Sequence, residues 1–216
     1  MPDFGEGLDR RLPVYLLLDC SSSMSGDPIE AVRTGVKTIV DELKGDPMAL
    51  QTVWLSVITF DSSTRQVVPL TEIGAFVEPP IVASGGTSLG AALNLFGQCI
   101  DRDVRKATAT QKGDWKPLMF LLTDGQPTDS WEAAADAVRK RTANIIACGA
   151  GHGVNTTNLK RITEIVLSLA TTQPDDIKMF FKWVTQSIKI TGTSVSSHGS
   201  AKVALAPPPQ GIVLVP

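Results

Sequence analysis

Cysteine is scarce in this sequence: 3 among 216 residues, at positions 20, 99 and 148, odd in number, far apart and without a C-x-x-C pair. Such a pattern indicates neither a disulfide framework nor a cysteine-based zinc site, and reduced structural thiols are expected. Excess charge of one sign is missing as well. Lys+Arg 20 against Asp+Glu 22 leaves a net charge of -2 with no basic stripe, so there is no electrostatic footprint for nucleic acid or an anionic membrane. Long apolar runs are lacking too. The longest, such as 14–18 and 118–122, fall far short of the roughly 20 residues that span a bilayer. Residues 1–13 do not read as a signal peptide, because Asp3, Glu6, Asp9, Arg10 and Arg11 interrupt them before an apolar region begins; a cytoplasmic location is the expectation.

What is present is an ordinary globular composition, 43% hydrophobic and 19% charged, in a chain long enough for one α/β domain with a substantial core. Residues 13–19 are apolar on both faces, the pattern of a central strand covered by helices. A helix follows. Asp27 stands where it can cap that helix, Pro28 fits its first position and Glu30 completes a capping box, while Val32, Val36, Ile39, Val40 and Leu43 recur at helical spacing. Two further strands, 52–60 and 65–71, are joined by Asp61, Ser62, Ser63 and Thr64 alone. So short a link holds no crossover helix, which makes the pair an antiparallel hairpin, and Pro69 confines its second strand to an edge.

Gly85-Gly86-Thr87-Ser88 then leads into a helix through Leu89, Leu93, Phe96 and Ile100, residues 103–115 read as a polar surface loop, and 116–123 is the next buried strand. Asp129 and Glu132 read as a second capping box, opening a helix with Trp131, Ala134, Ala135 and Val138 inward. Strand 144–149, a short helix 158–162, strand 165–169 and a final helix 176–190 complete the pattern. The order predicts a doubly wound, mostly parallel sheet of about six strands with one antiparallel edge strand and helices on both faces. Residues 1–11 read as an N-terminal arm, 12–191 as the domain, and 192–216 as a Ser/Gly/Pro-rich tail, partly disordered, in which 211–215 can dock.

Ligands of such folds bind at the carboxyl ends of strands near the topological switch point. Three polar loops meet that rule: Asp19-Cys20-Ser21-Ser22-Ser23, Gly86-Thr87-Ser88 and Thr123-Asp124-Gly125. In the first, alternation puts Asp19, Ser21 and Ser23 on one side of an extended turn and sends Cys20 the other way. The result is a nest of hard oxygen donors, which suits Mg²⁺ or Mn²⁺.

These loops resemble the metal-ion-dependent adhesion site of von Willebrand factor type A domains, whose D-x-S-x-S motif matches Asp19, Ser21 and Ser23, whose second loop matches Thr87 and whose third matches Asp124. The resemblance implies that these five residues are the metal ligands, that Asp19 and Asp124 act partly through bound waters, and that a protein partner supplies an Asp or Glu carboxylate to complete the octahedron Mg²⁺ demands. It implies a binding domain, not an enzyme. More narrowly, the stretches around Asp19, Asp61 and Asp124 resemble the bacterial TerY-like proteins associated with tellurite resistance and stress response. That resemblance implies work beside a Ser/Thr kinase and a PP2C-type phosphatase; the C-terminal cysteine-rich ribbon of some such relatives has no counterpart here.

Two other chemistries compete. Gly86-Thr87-Ser88-Leu89-Gly90 fits the G-x-S-x-G nucleophile elbow, and Ser88, Asp124 and His152 stand in the chain order of an α/β-hydrolase triad, so a serine hydrolase is the alternative function. Against it, the segment before Ser88 is rich in proline and glycine where an elbow needs a strand, and Asp19, Ser21 and Ser23 go unexplained. Phosphoryl transfer through Asp19 would call for a second carboxylate two positions on, where Ser21 stands. The Gly149 to Gly153 run misses G-x-G-x-x-G because position 154 is Val. His152 reads as a loop histidine, His198 as exposed, and Trp115 as a residue that can join an interface.

Overall fold

The computed structural model describes residues 10–198 and 203–216; the expected arm up to residue 9 and tail residues 199–202 lie outside the described residues. Strand β1 (Leu12–Asp19) is buried along its whole length, and its alternation divides the core in two. Leu12, Val14, Leu16 and Leu18 face one layer, Tyr15 and Leu17 the other. β1 pairs in parallel with β2 (Val53–Phe60) on one side and β4 (Leu118–Thr123) on the other, and β4 continues in parallel to β5 (Asn144–Ala150) and β6 (Ile165–Leu169). β3 (Thr64–Glu72) returns antiparallel along β2 and forms one edge, where Pro69 sits without breaking a central ladder.

Helices cover both faces. α1 (Asp27–Lys44), α2 (Pro47–Thr52) and α6 (Pro174–His198) lie on one side, with Val36, Phe181 and Trp183 in the layer they close. α3 (Leu89–Asp103), α4 (Glu132–Arg139) and α5 (Thr156–Ile162) lie on the other, over Phe96, Val138 and Ile162. Among the described residues no helix is long and apolar enough to cross a membrane.

Several local expectations are corrected. The sheet has seven strands in the order β3-β2-β1-β4-β5-β6-β7, because β7 (Ile212–Leu214) pairs antiparallel with β6 and makes a second antiparallel edge. α6 runs on past Ile190 to His198, and the returning chain is tied to it: the Trp183 indole donates to Ala206 O at 2.9 Å, and Thr191 Oγ1 donates to Ala204 O at 3.0 Å. Helix α1 is capped by Gly26 with no side-chain bond, and Asp27 occupies its first turn. α4 starts after Trp131, also without a side-chain cap, because Asp129 is engaged elsewhere. The 103–115 loop is fastened down by the buried Arg11–Asp114 pair, and Trp115 is buried at 4% exposure, so it is a core residue and not a surface for a partner.

Candidate metal centre

β1 is the switch point of this sheet, flanked by β2 and by β4, and the chain leaves both β1 and β4 at the same end. The register that pairs Leu18 with Leu122 sets Asp19 beside Thr123, and the Thr123 hydroxyl donates to Asp19 Oδ2 at 2.5 Å. The other Asp19 oxygen accepts the Ser21 backbone N–H at 2.9 Å, which turns the loop so that Ser21 and Ser23 come round to the strand end. Their hydroxyls lie 3.0 Å apart, and Ser23 Oγ donates to Asp124 Oδ1 at 2.8 Å. Thr87 arrives from the second loop, Gly86-Thr87-Ser88. Its Oγ1 is 3.4 Å from the point where a side chain on Gly125 would begin, so it stands against the Asp124–Gly125 peptide. Ser22 N–H donating to Gly85 O at 3.0 Å ties the first loop to this one.

All five residues named from the sequence are therefore at one place. Asp19, Ser21, Thr87 and Asp124 are buried, and Ser23 is exposed at the mouth. Burial is the main reason the Asp19 carboxyl is held above the usual range; hydrogen bonds from Ser21 and Thr123 oppose it, and the neighbouring Asp124 adds to it. Asp124 is raised chiefly by its own burial, with the Ser23 hydroxyl working the other way. Among the described residues no Lys, Arg or His forms an ion pair with either carboxylate. Two buried acids without a cation, ringed by hydroxyls, are the donor chemistry a hard divalent ion requires.

Cys20 contributes nothing soft to the set. Its thiol donates to Leu18 O at 3.5 Å on the opposite side, and burial, followed by the charges of Asp19 and Asp61, pushes it up to about 12. Nor do other ligands crowd in: among the described residues there is no cluster of three or more His, Cys, Asp or Glu.

Among the described residues no hydrogen bond links Ser88, Asp124 and His152, the three residues of the hydrolase alternative, and Asp124 is bonded to Ser23. Ser88 stands at the N-cap position of α3 after an irregular segment, without a side-chain cap bond, and its N–H donates to Asp61 O at 2.8 Å. Asp61 is a turn residue that also fastens the site's rim, accepting from Ser63 N–H and from the Ser84 hydroxyl. Sequence reasoning passed over Thr123 and Thr128. The signal for Thr123 was its place just before Asp124, at the strand end that register sets beside Asp19. Thr128 carries no local signal, because its contacts are with a segment 41 residues away.

A doubly wound domain with an oxygen-lined candidate cation site at its switch point is the class that fold and site define together. The von Willebrand factor type A domain model matches residues 14–182, and the chain belongs to that family. A protein of Synechocystis sp., sll0103, is 35% identical over 125 residues, covering 55% of this chain and 26% of its own length. The von Willebrand factor type A structure from Catenulispora acidiphila superposes with TM-score 0.63 at 19% identity, covering 83% of this chain and 43% of that one. Proximal thread matrix protein 1 from the mussel byssus, solved with a zinc-occupied MIDAS motif, gives TM-score 0.60 at 20% identity over 82% of this chain and 48% of that one. The chain thus spans about a quarter of the curated relative and under half of the two structures, which at these identities establish the fold alone.

Proposed function

We propose that this domain is a metal-dependent protein-binding module. Asp19, Ser21, Ser23, Thr87 and Asp124 would hold a divalent ion, Mg²⁺ or Mn²⁺ by the hardness of the donors, and a carboxylate from a partner's Asp or Glu would complete its coordination. The observation that carries this is the pair of buried carboxylates, Asp19 and Asp124, brought from two strands to one point among hydroxyls, with no basic side chain among the described residues paired to either. With several of the donors neutral, the ion keeps an appetite for one more anion. Zinc in the byssus protein's site shows that a relative's donor set accepts a divalent ion, and it makes zinc a third metal to try.

The test is titration of Mg²⁺, Mn²⁺ and Zn²⁺ into EDTA-stripped protein by calorimetry. One saturable site, lost in Asp19→Ala and Asp124→Ala, is expected; equal binding by both variants would overturn the metal assignment. The carboxylate half is tested on a captured partner, whose retention should need the metal and fail on Asp→Asn or Glu→Gln substitution in its contact segment. The setting inferred from the sequence stretches, a cytoplasmic tellurite-resistance or stress system with a Ser/Thr kinase and a PP2C-type phosphatase, is the outer part of this proposal. Metal-dependent co-purification with either enzyme is its test.

A further inference from the structure

Thr87 is gripped at both of its backbone polar groups by one residue. Its N–H donates to Thr128 Oγ1 at 3.0 Å, and its carbonyl accepts the Thr128 N–H at 2.9 Å. The next residue continues the grip. Asp129 takes the N–H groups of Gly90 and Ala91, each at 2.9 Å, one on each carboxylate oxygen, and so caps the start of α3 from another loop. Gly90 is what lets that loop come so close: a Cβ there would lie 2.5 Å from Ser130 O and 2.8 Å from Trp131 Cα. Alanine is the better helix former by about 1 kcal/mol, so glycine at this position serves the contact and not the helix. Thr128 and Asp129 follow Asp124 by a few residues in one loop, so the segment carrying one acidic member of the centre also holds the segment carrying Thr87.

We infer that Thr128 and Asp129 are positioning residues of the metal centre, clamping the Thr87 loop to the Asp124 loop so that the two are presented to the ion as one unit. The inference rests on the metal-binding reading of the site. It also gives Gly90, and Gly86, where a Cβ would lie 3.0 Å from Thr128 Oγ1, a role that needs no nucleophile. Thr128 is exposed, so water can satisfy the Thr87 N–H when its hydroxyl is removed. Its loss is therefore expected to show in geometry at the ion, not in stability.

The experiment is calorimetric Mn²⁺ and Mg²⁺ affinity, with the melting temperature in EDTA, on wild type, Thr87→Ala, Thr128→Val, Thr128→Ser, Gly90→Ala and the double variant Thr87→Ala/Thr128→Val. Thr128→Val should weaken metal binding about tenfold, as loss of an outer-shell partner does, with the metal-free melting temperature unchanged. Thr128→Ser, which keeps the acceptor oxygen, should restore affinity. Gly90→Ala should reproduce the loss by pushing the clamp away, and this second route stands if the valine variant fails to fold. In the double variant the losses should not add, because Thr128 acts through Thr87. Wild-type affinity in both Thr128→Val and Gly90→Ala, additive losses, or an unaffected Thr87→Ala would overturn the clamp while binding that still depends on Asp19 leaves the metal reading intact. No metal binding by the wild type would overturn both.

Discussion

Ser23 Oγ and Asp124 Oδ1 lie 2.8 Å apart although 101 residues of chain separate them. That contact joins the loop after β1 to the loop after β4, and with Asp19 beside Thr123 it gathers the site's anionic charge at the switch point of the sheet.

Metal removal should lower stability. At one hundred times its dissociation constant a bound ion contributes about 2.7 kcal/mol, so the urea midpoint measured with excess Mg²⁺ should exceed that in EDTA by a corresponding amount. Asp19→Asn should abolish the difference. The metal-free variant should be no less stable than metal-free wild type, since burying an amide costs less than burying a carboxylate beside Asp124.

Stability without metal should fall as pH rises. Asp19 and Asp124 are both raised in the folded protein, chiefly by burial, so the folded chain binds more protons than the unfolded one between the unfolded carboxylate value of about 3.9 and the higher folded values. The contribution is present in full below that window and lost as pH climbs through the folded values. Urea midpoints in EDTA across this range should decline for the wild type and flatten in Asp19→Asn/Asp124→Asn. Saturating metal should remove the decline, because the ion displaces the protons.

Gly35→Ala should destabilise the pairing of α1 with α6. A Cβ at Gly35 would lie 2.2 Å from the Phe181 ring, so the helices must part or the ring must leave its rotamer. Overpacking of this kind costs about 1–3 kcal/mol, read as a lower urea midpoint at unchanged slope. Phe181→Leu in the same chain should recover part of it, where two independent sites would simply add.

Deleting residues 203–216 should cost about 3 kcal/mol or more. It leaves the buried Trp183 indole N–H without Ala206 O, worth about 1–3 kcal/mol, and removes the apolar burial of Ala206 and Ile212. The deletion also uncovers the β6 edge, so light scattering should show association at concentrations where the full chain is monodisperse. A truncated chain that melts with the full one would show that this segment carries no stability.

The site's oxygens and most of the elements were legible in sequence because each rests on local pattern. Apolar runs ending at Asp19 and Asp124 announce strand ends, hydroxyls at alternate positions announce a shared side, and four residues between two strands allow only a hairpin. The errors fall where a side chain found a distant partner better than its local one. Asp129 is spaced for a capping box with Glu132, yet its carboxylate serves two N–H groups of α3, because the Gly90 backbone leaves room for it. Trp115 sits in a polar stretch and reads as surface, yet its N–H bonds Arg11 O while the Arg11–Asp114 pair closes the loop over it.

The sequence by itself thus determined the class of fold, the strand ends where chemistry collects and the identities of the oxygens, all set by periodicity and side-chain type within a few residues. Only the tertiary structure decided that these oxygens face one another, that Ile212–Leu214 adds a seventh strand, and that Thr128 and Asp129 grip the Thr87 loop. The reason is one of range. Register, edge pairing and trans-capping depend on segments tens of residues apart competing for the same backbone groups, and no local pattern records which of them wins.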